Sequence, residues 1–472
     1  MRGKTMIQYF EWYLPVDCRH WQRTARDAAH LAYLGITDAW LPPAYKGQAG
    51  LMDVGYGVYD LYDLGEFYQK GTIPTKYGTR DEYLAAIQAL HDQGIRVLGD
   101  MVLNHRMGAD YAESTTGSKM AGDDRLETIV ESKKLSVWTG FEFPGRNGKY
   151  SSFRWNKKHF SGVDWNSITG MNAIFKLSEH TWSTKVDSEN GNYDYLMGAD
   201  VDFQNPEVWE ELTRWGKWYF DTTKIDGVRL DAVKHISHAF FPHWLRELRA
   251  HTGGEVFAVG EYWLDDLGKL LAYLDNCGRC MSLFDVPLHH QFERASHAGQ
   301  DFDLRGIFDN TLVSRDPEHA VTLVDNHDTQ PGQALESWVE NWFKPLAYAL
   351  ILLREQGTPC VFYGDLYGIP HDDIPPVREL EKLLIARRKY ATGAQTDYFD
   401  YPNVVGWTRE GGMAVVLSNG NEGWKHMKLG KPGEVFVDFL GNRGDEVVIG
   451  EDGLGKFMVN ARSVSVWVPK NN

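Results

Sequence analysis

The chain has 472 residues, enough for roughly three domains at about 150 residues each. Hydrophobic residues make up 43% and charged residues 24%, which excludes a disordered chain, a collagen-like repeat and a disulfide-stapled miniprotein. Lys and Arg number 49 against 65 Asp and Glu, and the formal charge of -16 repels phosphate backbones and argues against a nucleic-acid partner. The surplus of rings, 17 Trp with 23 Tyr and 22 Phe, suits a groove that stacks on flat, weakly charged ligands such as sugars.

Thr5–Trp12 reads as a strand, and a helix over Trp21–Leu34 stops at Gly35. Ile36–Leu41 is the next strand, ended by Pro42 and Pro43. Thr79-Arg-Asp-Glu82 is a capping box that opens a helix with Tyr83, Leu84, Ile87 and Leu90 on one face. Buried strands follow at Ile95–Leu103, Gly227–Val233, Glu255–Glu261 and Ala320–Asp328, with weaker ones at Ser282–Leu288 and Cys360–Tyr363. Helices fit between them near Val208–Thr222, Phe241–His251, Trp338–Arg354 and Pro376–Tyr390. Alternating short apolar strands and amphipathic helices predict an α/β fold, a (β/α)8 TIM barrel rather than an open sheet.

Two stretches break that rhythm. Asn104–Asn205 is rich in Trp, Gly, Ser, Asn and Asp and is too long for a structureless loop, so it reads as a domain inserted after barrel strand 3. After about Gln395 come short β-type segments with Asn-Gly and Gly-Asn turns, a C-terminal antiparallel β-sandwich domain. The expected division is 1–103 with 206–395 for the barrel, 104–205 for the insertion and 396–472 for the C-terminal domain.

The longest wholly apolar run, Leu346–Leu353, is far short of the ~18 residues that span a bilayer, so no membrane is expected as a partner. Glu11 interrupts the N-terminal apolar stretch where a signal peptide needs continuity, which predicts a cytoplasmic protein. Cys277-Gly-Arg-Cys280 lacks a second ligand pair for zinc, so the four cysteines read as ordinary free thiols.

Barrel active sites lie at the C-terminal strand ends. There the sequence places Asp231, Glu261 and Asp328 on three different strands, with Arg229 two residues before Asp231 and on the same side. One such Asp is most often a cap or a structural ion-pair partner; three, each set beside Arg or His, point to catalysis. Glycoside cleavage needs one ionised and one protonated carboxyl group. Arg229 keeps Asp231 ionised, and the like charges of Asp231 and Asp328 raise the pKa of Glu261. His105 and His327 offer hydrogen bonds to sugar hydroxyls; Tyr56 and Trp263 offer stacking faces.

Asp100-Met-Val-Leu-Asn104-His105, Gly227-Val-Arg229-Leu-Asp231-Ala-Val-Lys234-His235, Gly260-Glu261-Tyr-Trp263 and Val324-Asp-Asn-His327-Asp328 resemble the signature segments of the α-amylase family. Tyr195-Leu-Met-Gly-Ala-Asp200-Val-Asp202 resembles a fifth. Gln8–Trp12, Trp40–Gly47, Trp342–Tyr348 and Ser463–Trp467 extend the likeness, toward the bacterial liquefying and cytoplasmic members, over nearly the whole chain.

The resemblance implies a retaining endo-hydrolase of α-1,4-glucans acting on starch, glycogen or maltodextrins. It makes Asp231 the nucleophile, Glu261 the acid/base and Asp328 the transition-state stabiliser. Tyr56, His105, Arg229 and His327 would line the cleaved sugar, and Lys234 and His235 the sugar on the leaving side.

It also implies one structural Ca²⁺ held by Asn104, Asp194, Asp200 and the His235 carbonyl. The chain has Ser161, Ser183 and Gln204 where the secreted relatives carry aspartates, which predicts one metal rather than a cluster. The expected assembly is a monomer. Competing readings are a metal-dependent barrel hydrolase, for which His105, His235 and His327 lack ligand spacing, a glucan-binding protein with a dead site, and a transglycosylating or α-1,6-cleaving member of the same family.

Overall fold

The computed structural model describes residues 3–470. Eight parallel strands close into a barrel: β1 Met6–Gln8, β2 Asp38–Trp40, β3 Arg96–Met101, β4 Gly227–Leu230, β5 Phe257–Gly260, β6 Ser282–Phe284, β7 Ala320–Leu323 and β8 Thr358–Phe362. Neighbours pair in sequence order, and β1 meets β8 through Met6 opposite Cys360. The outer helices are α1 His20–Leu34, α2 Arg80–Asp92, α3 Pro206–Thr223, α4 Phe240–Thr252, α5 Leu267–Asn276, α6 Val286–Ala298, α7 Lys344–Leu352 and α8 Leu380–Tyr390.

Local chemistry sets several helix starts. Thr79 accepts from the Glu82 amide while Glu82 returns a bond to the Thr79 amide, the capping box expected for α2. Asn205 caps α3, with Pro206 at its first turn, where a missing N–H costs nothing. α1 ends at Gly35, whose φ of 92° few other residues adopt.

The observed strands are shorter than the apolar runs, because the barrel ladder ends where residues turn outward into the loops. Ser282–Leu288 does not stay a strand: Asp285 accepts from the Leu288 amide and starts α6. α5 and α6 themselves were not foreseen. The helix expected over Trp338–Arg354 begins only at Lys344, fixed by Pro345 in its first turn, and α8 begins at Leu380 rather than Pro376.

Between β3 and α3 lies a six-stranded sheet in the spatial order 105–106, 199–201, 160–166, 171–177, 111–120 and 128–140. After α8, a second six-stranded antiparallel sheet runs from Gln395 to Pro469. A two-stranded ribbon, Gly423–Lys428 with Leu454–Val459, packs on it. Val416, Met427, Phe457 and Trp467 fill the space between the two layers.

Candidate active site

The site starts from strand register. Arg229 on β4 lies directly opposite Asp100 on β3, and both side chains point into the barrel. Arg229 Nη1 reaches Asp100 Oδ1 at 2.9 Å and Asp231 Oδ1 at 2.7 Å, while Nη2 meets Glu261 Oε1 at 2.9 Å. One guanidinium therefore holds three carboxylates from three strands. Asp100 also accepts from Trp40 Nε1 and from the Tyr56 hydroxyl, each at 2.9 Å.

The electrostatics follow from this burial. Loss of water pushes the Asp231 carboxyl up to about 6 against the opposing pull of Arg229. Glu261 is raised as well, by burial first and by Asp231 after Arg229 is offset. The expected like-charge effect is therefore real but secondary, and Asp231 is not held in the ordinary Asp range.

Asp328 is raised well above the usual carboxylate range, by its low-dielectric surroundings and then by Glu261. It is the most open of the three, with 26% of its side chain exposed. Ala232, next to Asp231, has a φ of 51°, a strained value for a residue with a Cβ, and its amide donates to Glu261 Oε2.

The lining is aromatic. Tyr56 stacks on His327 with centroids 5.0 Å apart, and Trp12 stacks on Tyr56 at 6.1 Å. Gln8 Nε2 bonds His327 Nδ1 at 2.9 Å, and the His327 pKa is driven well below its ordinary value by burial and by Arg229, so the ring is neutral. His105 bonds the Tyr56 carbonyl through Nε2 at 2.8 Å; burial lowers it to about 4, and its Nδ1 is unpartnered.

Lys234 Nζ contacts Glu189 Oε2 at 2.8 Å and the Trp263 carbonyl at 3.0 Å, tying the insertion to the β4 and β5 ends. His235 is buried, its Nδ1 on the Tyr193 carbonyl and its pKa lowered to about 3. Trp263 is half-buried and sits against His289.

Asn104, Asp194 and Asp200 meet at the root of the insertion. Asn104 Nδ2 donates to Asp200 Oδ1 at 3.2 Å, and the Ser161 hydroxyl donates to Asp200 Oδ2 at 2.5 Å. The Ser183 amide donates to Asp194 at 2.9 Å. Burial and the Asp194 charge raise Asp200 well above its ordinary value, and burial raises Asp194 to about 7. Among the described residues neither carboxylate has an ion-pair partner. Two buried, oxygen-rich carboxylates without a counter-charge fit a hard cation.

Asp100, Trp40, Gln8 and Trp12 belong to the site without having been given roles in the sequence. The signal for Asp100 was an acidic residue inside an otherwise apolar strand, which a buried strand tolerates only beside a partner charge.

Barrel, mouth and charge cluster together define a barrel enzyme of the glycoside hydrolase kind. A family model described as the α-amylase catalytic domain matches residues 28–388, and one for the α-amylase C-terminal domain matches 413–468. The chain belongs to the α-amylase family. It is 54% identical to an α-amylase of Geobacillus stearothermophilus, over 99% of this chain and 87% of that one. It is 46% identical to the cytoplasmic α-amylase of Escherichia coli strain K12, over 99% of each. Among solved structures, an α-amylase from Geobacillus thermoleovorans complexed with acarbose superposes with a TM-score of 0.67 at 18% identity, covering 100% of this chain and 99% of that one.

Proposed function

We propose that this enzyme hydrolyses α-1,4-glucosidic bonds within α-glucans with retention of configuration. The observation that carries the reading is the single Arg229 guanidinium spanning Asp231 and Glu261. Two carboxyls bound to one guanidinium stand side by side at the mouth, which supports attack by one and protonation by the other at a single anomeric centre, as in a retaining enzyme. Asp231 attacks the anomeric carbon while Glu261 gives its proton to the departing glycosidic oxygen. Glu261, now a carboxylate, takes a proton from water, whose oxygen attacks the same carbon and frees Asp231.

Asp328 and the neutral His327 bind sugar hydroxyls and favour the oxocarbenium-like state. Arg229 orients both reacting carboxyls. Tyr56 is the stacking platform and His105 offers its free Nδ1. Lys234, His235 and Trp263 receive the leaving-side sugar.

Asn104, Asp194, Asp200 and the His235 carbonyl would hold one Ca²⁺, which supplies charge balance and fixes the insertion to the barrel without entering the reaction. The three units 1–103 with 206–395, 104–205 and 396–472 then act as barrel, groove wall and C-terminal cap. The relative named as a cytoplasmic α-amylase supports a cytoplasmic setting, and in that setting the substrate would be glycogen or maltodextrin. Among the described residues no helix is long and apolar enough to cross a membrane. We take the working form to be a monomer.

Incubation with soluble starch and with maltoheptaose, followed by product sizing, tests the reading. Internal cleavage gives a rapid fall in chain length and several short products; single glucose or maltose release from one end only would reject it. Proton NMR of fresh product shows the α-anomer first, and initial β-anomer would exclude retention.

A further inference from the structure

At the end of the barrel opposite the mouth lies a cavity of about 520 Å³. It is bounded by the residues before β1 and β2, the last turn of α8 and the start of the C-terminal sheet. Four arginines line it, Arg354, Arg387, Arg388 and Arg409, against one acid, Glu355, in a chain whose net charge is -16.

Arg354 is neutralised by Asp397, at 2.7 and 2.9 Å. The other three have no carboxylate within ion-pair distance among the described residues. Arg387 is half-buried and spends one N–H each on the Thr5 hydroxyl and the Lys4 and Leu352 carbonyls. Arg409 uses three on the Gly393 and Leu353 carbonyls. Carbonyl dipoles at the end of α7 anchor these forks but do not cancel a full charge, and each guanidinium has two of its five donors left. Burial and the neighbouring Arg409 lower Arg387 to about 10, the mark of cations crowded without a counter-ion. The Arg388 side chain makes no hydrogen bond among the described residues, and its guanidinium lies 5.2 Å over the Tyr33 ring.

We propose that this cavity binds a small phosphate-bearing anion, held by Arg387, Arg388 and Arg409. A tetrahedral group with several charged oxygens can meet three forks, two from α8 and one from the C-terminal sheet, which a planar carboxylate does not. A neutral sugar is a poor occupant, because no aromatic ring lines the cavity. The volume accommodates either free phosphate or a sugar phosphate. The bound anion would tie the N-terminal segment, α8 and the C-terminal sheet together, far from the reacting carboxylates.

The test is isothermal titration of the full chain with inorganic phosphate and with glucose 1-phosphate, each against sodium chloride at equal ionic strength. Saturable one-to-one binding is expected with at least one of the two. Tighter binding of glucose 1-phosphate identifies a sugar phosphate as the occupant; equal affinity identifies free phosphate. Arg388→Gln and Arg409→Gln should each weaken binding about tenfold, the loss of one charge-assisted contact, with starch hydrolysis unchanged. Arg388 is at the surface of the cavity, so its variant folds even if Arg409→Gln does not. No saturable heat with either phosphate compound, or wild-type affinity in Arg388→Gln, overturns the proposal.

Discussion

At the scale of single residues, the energetics of this site centre on Arg229. Asp231→Asn and Glu261→Gln each remove a group from the same step, so each should lower kcat by several powers of ten, and the double variant should be little worse than either. A single variant that keeps a tenth of the wild-type rate on soluble starch would refute the assigned roles. Arg229→Lys keeps the charge but loses the fork, so kcat should fall while the fold survives.

The raised carboxyl of Asp231, near 6 in the folded state against an ordinary 3.8, sets two pH effects. The nucleophile is protonated below about 6, so the acid limb of the rate profile should bend there, as a property of the whole cluster. A folded pKa above the unfolded one gives stability that is full below about 3.8 and lost as pH rises through about 6. Asp231→Asn should therefore raise the melting temperature at pH 8 and leave it nearly unchanged at pH 4. An equal shift at both pH values would contradict the origin in burial.

Arg229, Asp231, Glu261 and Asp328 could be singled out because charged residues in or just after apolar strand segments are rare. Glu189 and Trp12 were not, since they sit in loops whose path no local pattern fixes.

At the scale of elements, two devices hold the frame. Thr79→Ala breaks the reciprocal cap of α2 and should cost about 1 kcal/mol in urea unfolding, with activity unchanged. A larger effect is expected on α7. There the buried Lys344 reaches Asp325 at 2.8 Å and Asp365 at 2.5 Å, joining the turn that carries His327 and Asp328 to the end of β8. Lys344→Met strands two buried carboxylates, and about 3–5 kcal/mol of stability should go with it. A loss under 1 kcal/mol would show that the pair is dispensable.

The start of α2 could be read from the sequence, because the Thr79–Glu82 capping box stands directly before an amphipathic run. α5 and α6 could not: Leu267–Asn276 begins after a loop crowded with Trp263 and acidic residues, and Val286-Pro-Leu288 has the local composition of a strand. Only the Asp285 side chain turning back on the Leu288 amide decides that segment, and that bond exists once β6 is in place.

At the scale of the molecule, the insertion and the Ca²⁺ proposed at its root would decide how firmly the groove stands. Ser161 and Ser183 contribute a hydroxyl and an amide to Asp200 and Asp194 rather than further negative charge. The Ca²⁺ should thus be single and of modest affinity. EDTA should lower the melting temperature and added Ca²⁺ restore it, by about 2.7 kcal/mol of stability at a hundredfold excess over Kd. Two or more tightly held metals by elemental analysis would rule out a single site. The barrel and the C-terminal antiparallel sheet were readable because the spacing of apolar residues changes between them. The order of strands inside the insertion was not, because residues 105 and 200 pair across nearly a hundred intervening positions.

Barrel closure by β1 against β8 has a consequence for the newly made chain. Gln8 is opposite Phe362, so the first strand leaves the ribosome roughly 350 residues before its last partner exists. At about 5–20 residues per second, that interval lasts roughly 20–70 s. Throughout it the growing sheet is an open ribbon, with one edge of β1 unpaired and the apolar backs of its strands only partly covered by helices. Nascent chains stalled anywhere before β8 should therefore be the aggregation-prone population, and the ones on which chaperones act, while the completed barrel has no edge to offer.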